Sequence, residues 1–139
     1  MSEDVVSPEQ VKSKMPKKTF NEPDSGKLPF SSAVRAGDFV YTSGHAATED
    51  NNGRELTSVE EQTKYTMEGL RDTLKMAGAT LDDVIKATIF LRDAKDFRKM
   101  NEVYRTFFKN EYPARSTIVT ELVIPEILVE IECIAYKPE

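Results

Sequence analysis

The sequence predicts an α+β domain in which a single β-sheet carries two helices on one face. Two observations predict it. Stretches rich in β-branched and aromatic residues recur at 30–43, 84–91, 115–119 and 128–136, and two segments between them repeat apolar residues every three to four positions. The resulting order, ββ-α-β-α-ββ, is one sheet whose apolar face two helices cover.

Each element has a local cause. Phe30 to Val34 and Phe39 to Ser43 flank Ala36-Gly37-Asp38, which reads as a hairpin turn. Glu49-Asp50-Asn51-Asn52-Gly53 is turn chemistry in a polar loop. Ser58 stands three residues before Glu61, the spacing of a capping box, and opens a helix over 59–77. Its buried face is Val59, Thr63, Met67, Leu70, Leu74 and Ala77, with Gly78 at the position that wants a left-handed residue. In the strand 84–91, Ile85, Ala87, Ile89 and Leu91 should face the core while Lys86, Thr88 and Phe90 face away. Asp93 then caps a second helix with the face Phe97, Met100, Tyr104 and Phe107, which Pro113 stops. Along the last strand Val129, Ile131, Cys133 and Ala135 share one face, so Glu130 and Glu132 lie on the other. That second face, with Arg115 expected beside the two glutamates, is too polar for a core and elsewhere too aliphatic for free solvent, which points to self-association.

The chain has 139 residues, enough for one domain, and the reading divides it into a partly ordered arm over 1–27 and a domain over 28–139. The arm is polar and broken by Pro8, Pro16, Pro23 and Gly26; its lysines at 12, 14, 17 and 18 read as a solvated tail. A net charge of -5 argues against a phosphate-backbone binder. No apolar run is long enough to span a bilayer, and the N-terminal residues have neither the apolar core of a signal peptide nor the arginines of a transit peptide, so the expected location is cytoplasmic. Cys133 is the lone cysteine and His45 the lone histidine, which rules out an internal disulfide, a cysteine metal cluster and a multi-histidine metal site.

The residues that could carry chemistry begin with Pro113-Ala114-Arg115-Ser116-Thr117, followed by Val129-Glu130-Ile131-Glu132. A guanidinium is a rigid fork of donors matched to a carboxylate, and a carboxylate can hold and orient a water. Together with Ser43-Gly44, with Ala77-Gly78-Ala79-Thr80-Leu81-Asp82-Asp83-Val84 and with Asn101-Glu102-Val103-Tyr104, this pair resembles the RidA (YjgF) family of small trimeric enamine/imine deaminases, over roughly Leu28 to Tyr136. The resemblance implies a chorismate-mutase-like single domain with a mixed sheet, a homotrimer packing its sheets around a threefold axis, and a pocket in each cleft between neighbours.

It also implies roles. Arg115 would grip the substrate carboxylate, and Glu130, fifteen positions later, would order the attacking water; Glu132 inherits no role. Gly44 would stand at the pocket wall, and Asn101 is weighed evenly between a pocket role and a helix-to-loop hydrogen bond. Thr117 shares a strand face with Arg115 by period two and should line the same cleft, where many relatives have Cys. His45 stands where most members carry Gln, Phe30 where they carry Tyr and Ser32 where they carry Gln, departures that bear on the substrate more than on the reaction. A lone histidine is more often a structural hydrogen-bonder; beside Ser43-Gly44 it is also a candidate to touch substrate, as is Phe30.

The expected activity is hydrolysis of 2-aminoacrylate-type enamines and imines to 2-keto acids and ammonia, a 2-iminobutanoate/2-iminopropanoate deaminase-like reaction with no metal or organic cofactor implied. The rival is a non-catalytic binder of small carboxylic acids or a regulatory protein of the same fold. A ribonuclease or translation-inhibitor activity, also reported within the family, is disfavoured by the acidic balance and the single histidine.

Overall fold

The structure, a computed structural model, describes residues 16–23 and 28–139. Its strands are β1 (Lys18–Phe20), β2 (Ala33–Ala36), β3 (Phe39–Thr42), β4 (Val84–Leu91), β5 (Ala114–Val119) and β6 (Val129–Tyr136), with helices α1 (Val59–Met76) and α2 (Phe97–Tyr104). They form one sheet in the order β1-β2-β3-β6-β4-β5. Only β4 and β5 run parallel, so the sheet is mixed and the α+β reading holds. Most of the expected arm, residues 1–15 and 24–27, lies outside the described residues. Within the arm, Lys18–Phe20 pairs antiparallel with β2 as an edge strand. Three residues are too few for a periodic signal, because their order comes from the neighbouring ladder.

Both helices cover one face. Met67, Leu70 and Leu74 of α1 and Met100 and Tyr104 of α2 join Ala87, Ile89 and Leu91 of β4 and Val129, Ile131, Cys133 and Ala135 of β6 in a single core. The expected face of β4 needs one change. The ladder to β6 shifts between Val84 and Lys86, so Val84 takes the inward place at 7% exposure while Ile85 is 47% exposed. A bulge inserts one residue and flips the alternation on its far side.

The registers also correct the expected position of Arg115. In β4, Ala87 and Ile89 face the helices. They pair with Cys133 and Ile131 on one side and with Arg115 and Thr117 on the other. Directly paired residues share a face, so Arg115 and Thr117 lie on the helix side. Glu130 pairs with Phe90 and Glu132 with Thr88, on the opposite side. Arg115 and Glu130 of one chain therefore point away from each other. The helix-free face carries Phe39, Tyr41, Ile118 and Tyr136, all exposed, with the Phe39 and Tyr136 rings 5.2 Å apart.

Polar side chains hold the connections. Ser58 caps α1 by accepting from Glu61 N at 3.1 Å, but the Glu61 carboxylate takes the Ser58 hydroxyl and, at 2.6 Å, the Arg54 guanidinium, so only half of a capping box forms. Gly78 ends the turn after α1 with φ +85°, where any Cβ would be strained. Buried Arg35 donates to Ala77 O from Nε and Nη2 (3.1 and 2.9 Å) and from Nη1 to Gly37 O and Lys137 O. Arg92 holds the loop before β6 through Ile127 O, Leu122 O and Ile124 O.

Gln62, fully buried on α1, donates to Leu56 O (3.0 Å) and Glu126 O (2.9 Å) and accepts from Leu128 N (2.8 Å). It ties two loops to the helix. Gln62→Ala strands these backbone groups without partners and is expected to lower stability by about 2–4 kcal/mol, read as a lower urea midpoint with an unchanged slope. An unchanged midpoint would show that water replaces the amide at no cost.

Candidate functional site

Helix α2 presents a second stripe besides its core face. Phe97, Asn101 and Tyr104 stand at i, i+4 and i+7, and so fall on one side of the helix. Edge strand β5 runs beside them and carries Arg115 on the helix face. The guanidinium carbon lies 4.9 Å from the Tyr104 ring centre and 5.7 Å from that of Phe97. Such cation–π contacts contribute about 0.5–2 kcal/mol and fix the plane of the fork. Tyr104 is braced in turn by Phe108 at 4.9 Å, and Phe108 by Tyr112 at 5.9 Å. The periodicity of the sequence places Phe97 and Tyr104 on the buried face of this helix; the i, i+4, i+7 spacing of Phe97, Asn101 and Tyr104 is the signal that they also build a shelf.

Asn101, Tyr104, Arg105, Tyr112, Pro113 and Arg115 line a cleft of about 260 Å³. Two cations and no carboxylate line it, which suits an anion. Asn101 Oδ1 is buried beside the cleft without a hydrogen-bond partner, and buried Tyr104 Oη has only the Arg115 guanidinium set against it, a donor that leaves the O–H without an acceptor. A buried polar atom left unpaired costs about 1–3 kcal/mol, so two in one cleft are the mark of a place where a ligand supplies the partners. Burial pushes the Tyr104 hydroxyl up to about 12, with the Arg115 charge and a hydrogen bond from its guanidinium pulling the other way, so it remains an O–H donor at neutral pH.

Glu130 sits on the opposite face, where the chain leaving β3 makes room for it. Ser43 is fixed by its N–H to Ser32 O (2.9 Å) and its hydroxyl to Ser31 O (2.6 Å). His45 then bridges Ile131, N to O at 2.8 Å and O to N at 2.9 Å. Between these anchors Gly44 passes over the Glu130 side chain. A Cβ on Gly44 would come within 2.9 Å of Glu130 Cδ and closer still to Oε2. The missing side chain is thus what lets the carboxylate lie where it does. Phe30, 52% exposed, immediately precedes Ser31 at the same end of the sheet.

Thr117 shares the Arg115 face one step along β5, but is not among the residues lining that cleft. His45 belongs to neither group. Its Nδ1 lies 2.7 Å from Ser43 O and its Nε2 2.9 Å from Thr73 Oγ1 on α1, while Thr73 donates to Glu22 at 2.8 Å. Both ring nitrogens are engaged within the subunit, on the helix side of the sheet, and the structure does not bring His45 to Arg115 or to the Glu130 carboxylate. Burial pushes the Cys133 thiol up to about 11, which leaves it without nucleophilic thiolate.

Comparison with known proteins gives one consistent picture. Residues 20–137 match the family described as Endoribonuclease L-PSP. A RutC family protein of Pyrococcus abyssi is 38% identical over 110 residues, covering 78% of this chain and 87% of that protein. Reactive Intermediate Deaminase A, chloroplastic, of Arabidopsis thaliana is 37% identical over 108 residues, covering 77% of this chain and 58% of that protein. Among solved structures, E. coli TdcF with bound serine superposes with a TM-score of 0.77 at 30% identity, covering 86% of this chain and 99% of that one. No helix among the described residues is long and apolar enough to cross a membrane.

Gly44→Ala is expected to drive the Glu130 carboxylate from its place and to lower stability by about 1–3 kcal/mol, the usual cost of overpacking. Adding Glu130→Ala to that variant removes the clash and should recover most of the loss. A double-mutant cycle by thermal or urea melts that shows simple additivity would mean the two residues do not press on each other.

Proposed function

Because the chain belongs to the Endoribonuclease L-PSP family, the RidA (YjgF) family its motifs resemble, we propose that it hydrolyses small 2-imino acids, formed from enamines of the 2-aminoacrylate type, to 2-keto acids and ammonia. The observation that carries this reading is the Arg115 cleft: a guanidinium held on an aromatic shelf, with no acidic neighbour and with unpaired Asn101 Oδ1 beside it. A carboxylate fits the guanidinium, and an acceptor such as Oδ1 fits the N–H of an imine, which a keto acid lacks. The name of the Arabidopsis relative supports the reaction class, and serine bound to E. coli TdcF, an amino acid, supports the ligand size.

In the proposed reaction Arg115 holds the carboxylate and the enamine tautomerises to the imine. Water held by the Glu130 carboxylate adds its oxygen to the C=N carbon, the π electrons pass to nitrogen, and the proton shed by water reaches that nitrogen through Glu130. The carbinolamine's hydroxyl proton then passes to the same nitrogen, again through Glu130, and as the C=O bond forms the C–N bond breaks and its electron pair leaves with ammonia. Orientation and one positioned proton acceptor supply the rate for a substrate already prone to hydrolyse.

Arg115 and Glu130 face opposite sides of one sheet, so a single copy cannot apply both to one substrate. The proposal therefore includes a closed homotrimer in which the helix-free face of one subunit, with Glu130 and Gly44, packs by the Arg115 edge of the next. The exposed Phe39, Tyr41, Ile118 and Tyr136 support an association that buries that face.

Keto-acid formation from imines generated in situ by an amino-acid oxidase tests the chemistry. Wild-type protein should accelerate it, and Arg115→Ala and Arg115→Lys should each lose about 100-fold or more while remaining folded, since Lys offers a point charge in place of a fork. Near-wild-type turnover by either variant rejects the clamp, and wild-type protein that binds pyruvate without turning over imines identifies the carboxylate binder instead. The shared site has its own check. Inactive Arg115→Ala and Glu130→Gln subunits, mixed 1:1 and allowed to exchange, should regain about a quarter of wild-type activity under random mixing, because one interface in four pairs two intact halves. No regain despite demonstrated exchange would mean that both groups act within one subunit.

A further inference from the structure

Among the described residues, the large buried polar side chains Gln62 and Arg35 each satisfy several backbone groups. Tyr104 is the departure. It is 4% exposed and lines the cleft, and its ring is packed against Phe108 and the Arg115 guanidinium; that guanidinium, itself a donor, is the one group set against Oη, so the buried O–H has no acceptor. Most buried hydroxyls that serve only the fold are bonded to it. A bidentate guanidinium also leaves lone pairs of a bound carboxylate unused, and an O–H is the donor that suits them.

Resting on the reading of this cleft as the site of a small acid, we propose that Tyr104 is a ligand-binding residue whose hydroxyl donates to a carboxylate oxygen of the acid clamped by Arg115, while its ring holds the guanidinium in place. Two donors then converge on the carboxylate, and the acceptor Asn101 Oδ1, which a carboxylate would repel, is left to the nitrogen end. The ligand enters in one orientation, with its carboxylate toward Arg115 and Tyr104 and its nitrogen toward Asn101.

Tyr104→Phe separates the ring from the hydroxyl. Pyruvate titrated calorimetrically into the full-length protein should bind the variant about tenfold or more weakly than wild type, the usual effect of losing a charge-assisted hydrogen bond. The ligand-free variant should melt at the same temperature or higher, because a buried O–H without an acceptor has been removed. Tyr104→Leu, which also removes the shelf, should weaken pyruvate binding further. Unchanged affinity in Tyr104→Phe overturns the inference. So does a melting temperature lowered by several degrees, which would make the hydroxyl structural, and so does wild-type protein that fails to bind pyruvate at millimolar concentration. Because the readout is binding, an absence of imine turnover would sink the deaminase reading without altering this comparison.

Discussion

The two-residue alternation of β4 is the constraint from which the rest of this structure follows. β4 pairs parallel with β5 and antiparallel with β6, so its own alternation dictates which face every neighbouring side chain takes. Ala87, Ile89 and Leu91 point at the helices, and with them go Arg115 and Thr117 on one side and the apolar half of β6 on the other. Glu130 and Glu132 follow Phe90 and Thr88 to the bare face. A strand cannot rotate one residue without rotating its neighbours. The division of the two charged groups between faces is therefore as firm as the core, and the second copy in the proposed reaction answers to that sheet geometry.

Satisfied and unsatisfied polar groups divide the molecule by role. Arg35, Arg92 and Gln62 are engaged with backbone carbonyls and amides of distant segments, and each fixes a connection that hydrophobic contact alone would leave loose. Asn101 Oδ1 and Tyr104 Oη have no such backbone partners, and both residues line the cleft of Arg115, whose guanidinium lies against the Tyr104 and Phe97 rings. Thr66 Oγ1 is buried and unpaired as well, and nothing in its surroundings explains it. His45 is the opposite case: a residue that composition makes conspicuous, whose ring is used up in holding the end of β3 to α1.

The order of elements, the buried face of α1, the caps at Ser58 and Gly78 and the inward half of β6 could all be read from the chain, because each depends on neighbours within a turn or two. Other features could not. The short edge strand Lys18–Phe20 exists only through its partner, and the bulge that exposes Ile85 comes from a mismatch with β6. Arg115 was legible as a residue of interest from its motif, but its face was not, because that depends on which strand it lies beside and in what register. The aromatic shelf was hidden for a related reason, since Phe97 and Tyr104 look like any apolar helix residues until β5 is laid against them.

The sequence by itself determined the fold class, the family and the chemical types at the site: a guanidinium, a carboxylate, an amide and a glycine. These are properties of local periodicity and of residue identity. Only the tertiary structure decided that Gly44 is the space Glu130 occupies, that Tyr104 carries a buried O–H without an acceptor beside Arg115, and that Arg115 and Glu130 turn their backs on each other. Those depend on register and on contacts between residues many tens of positions apart, which no local pattern encodes.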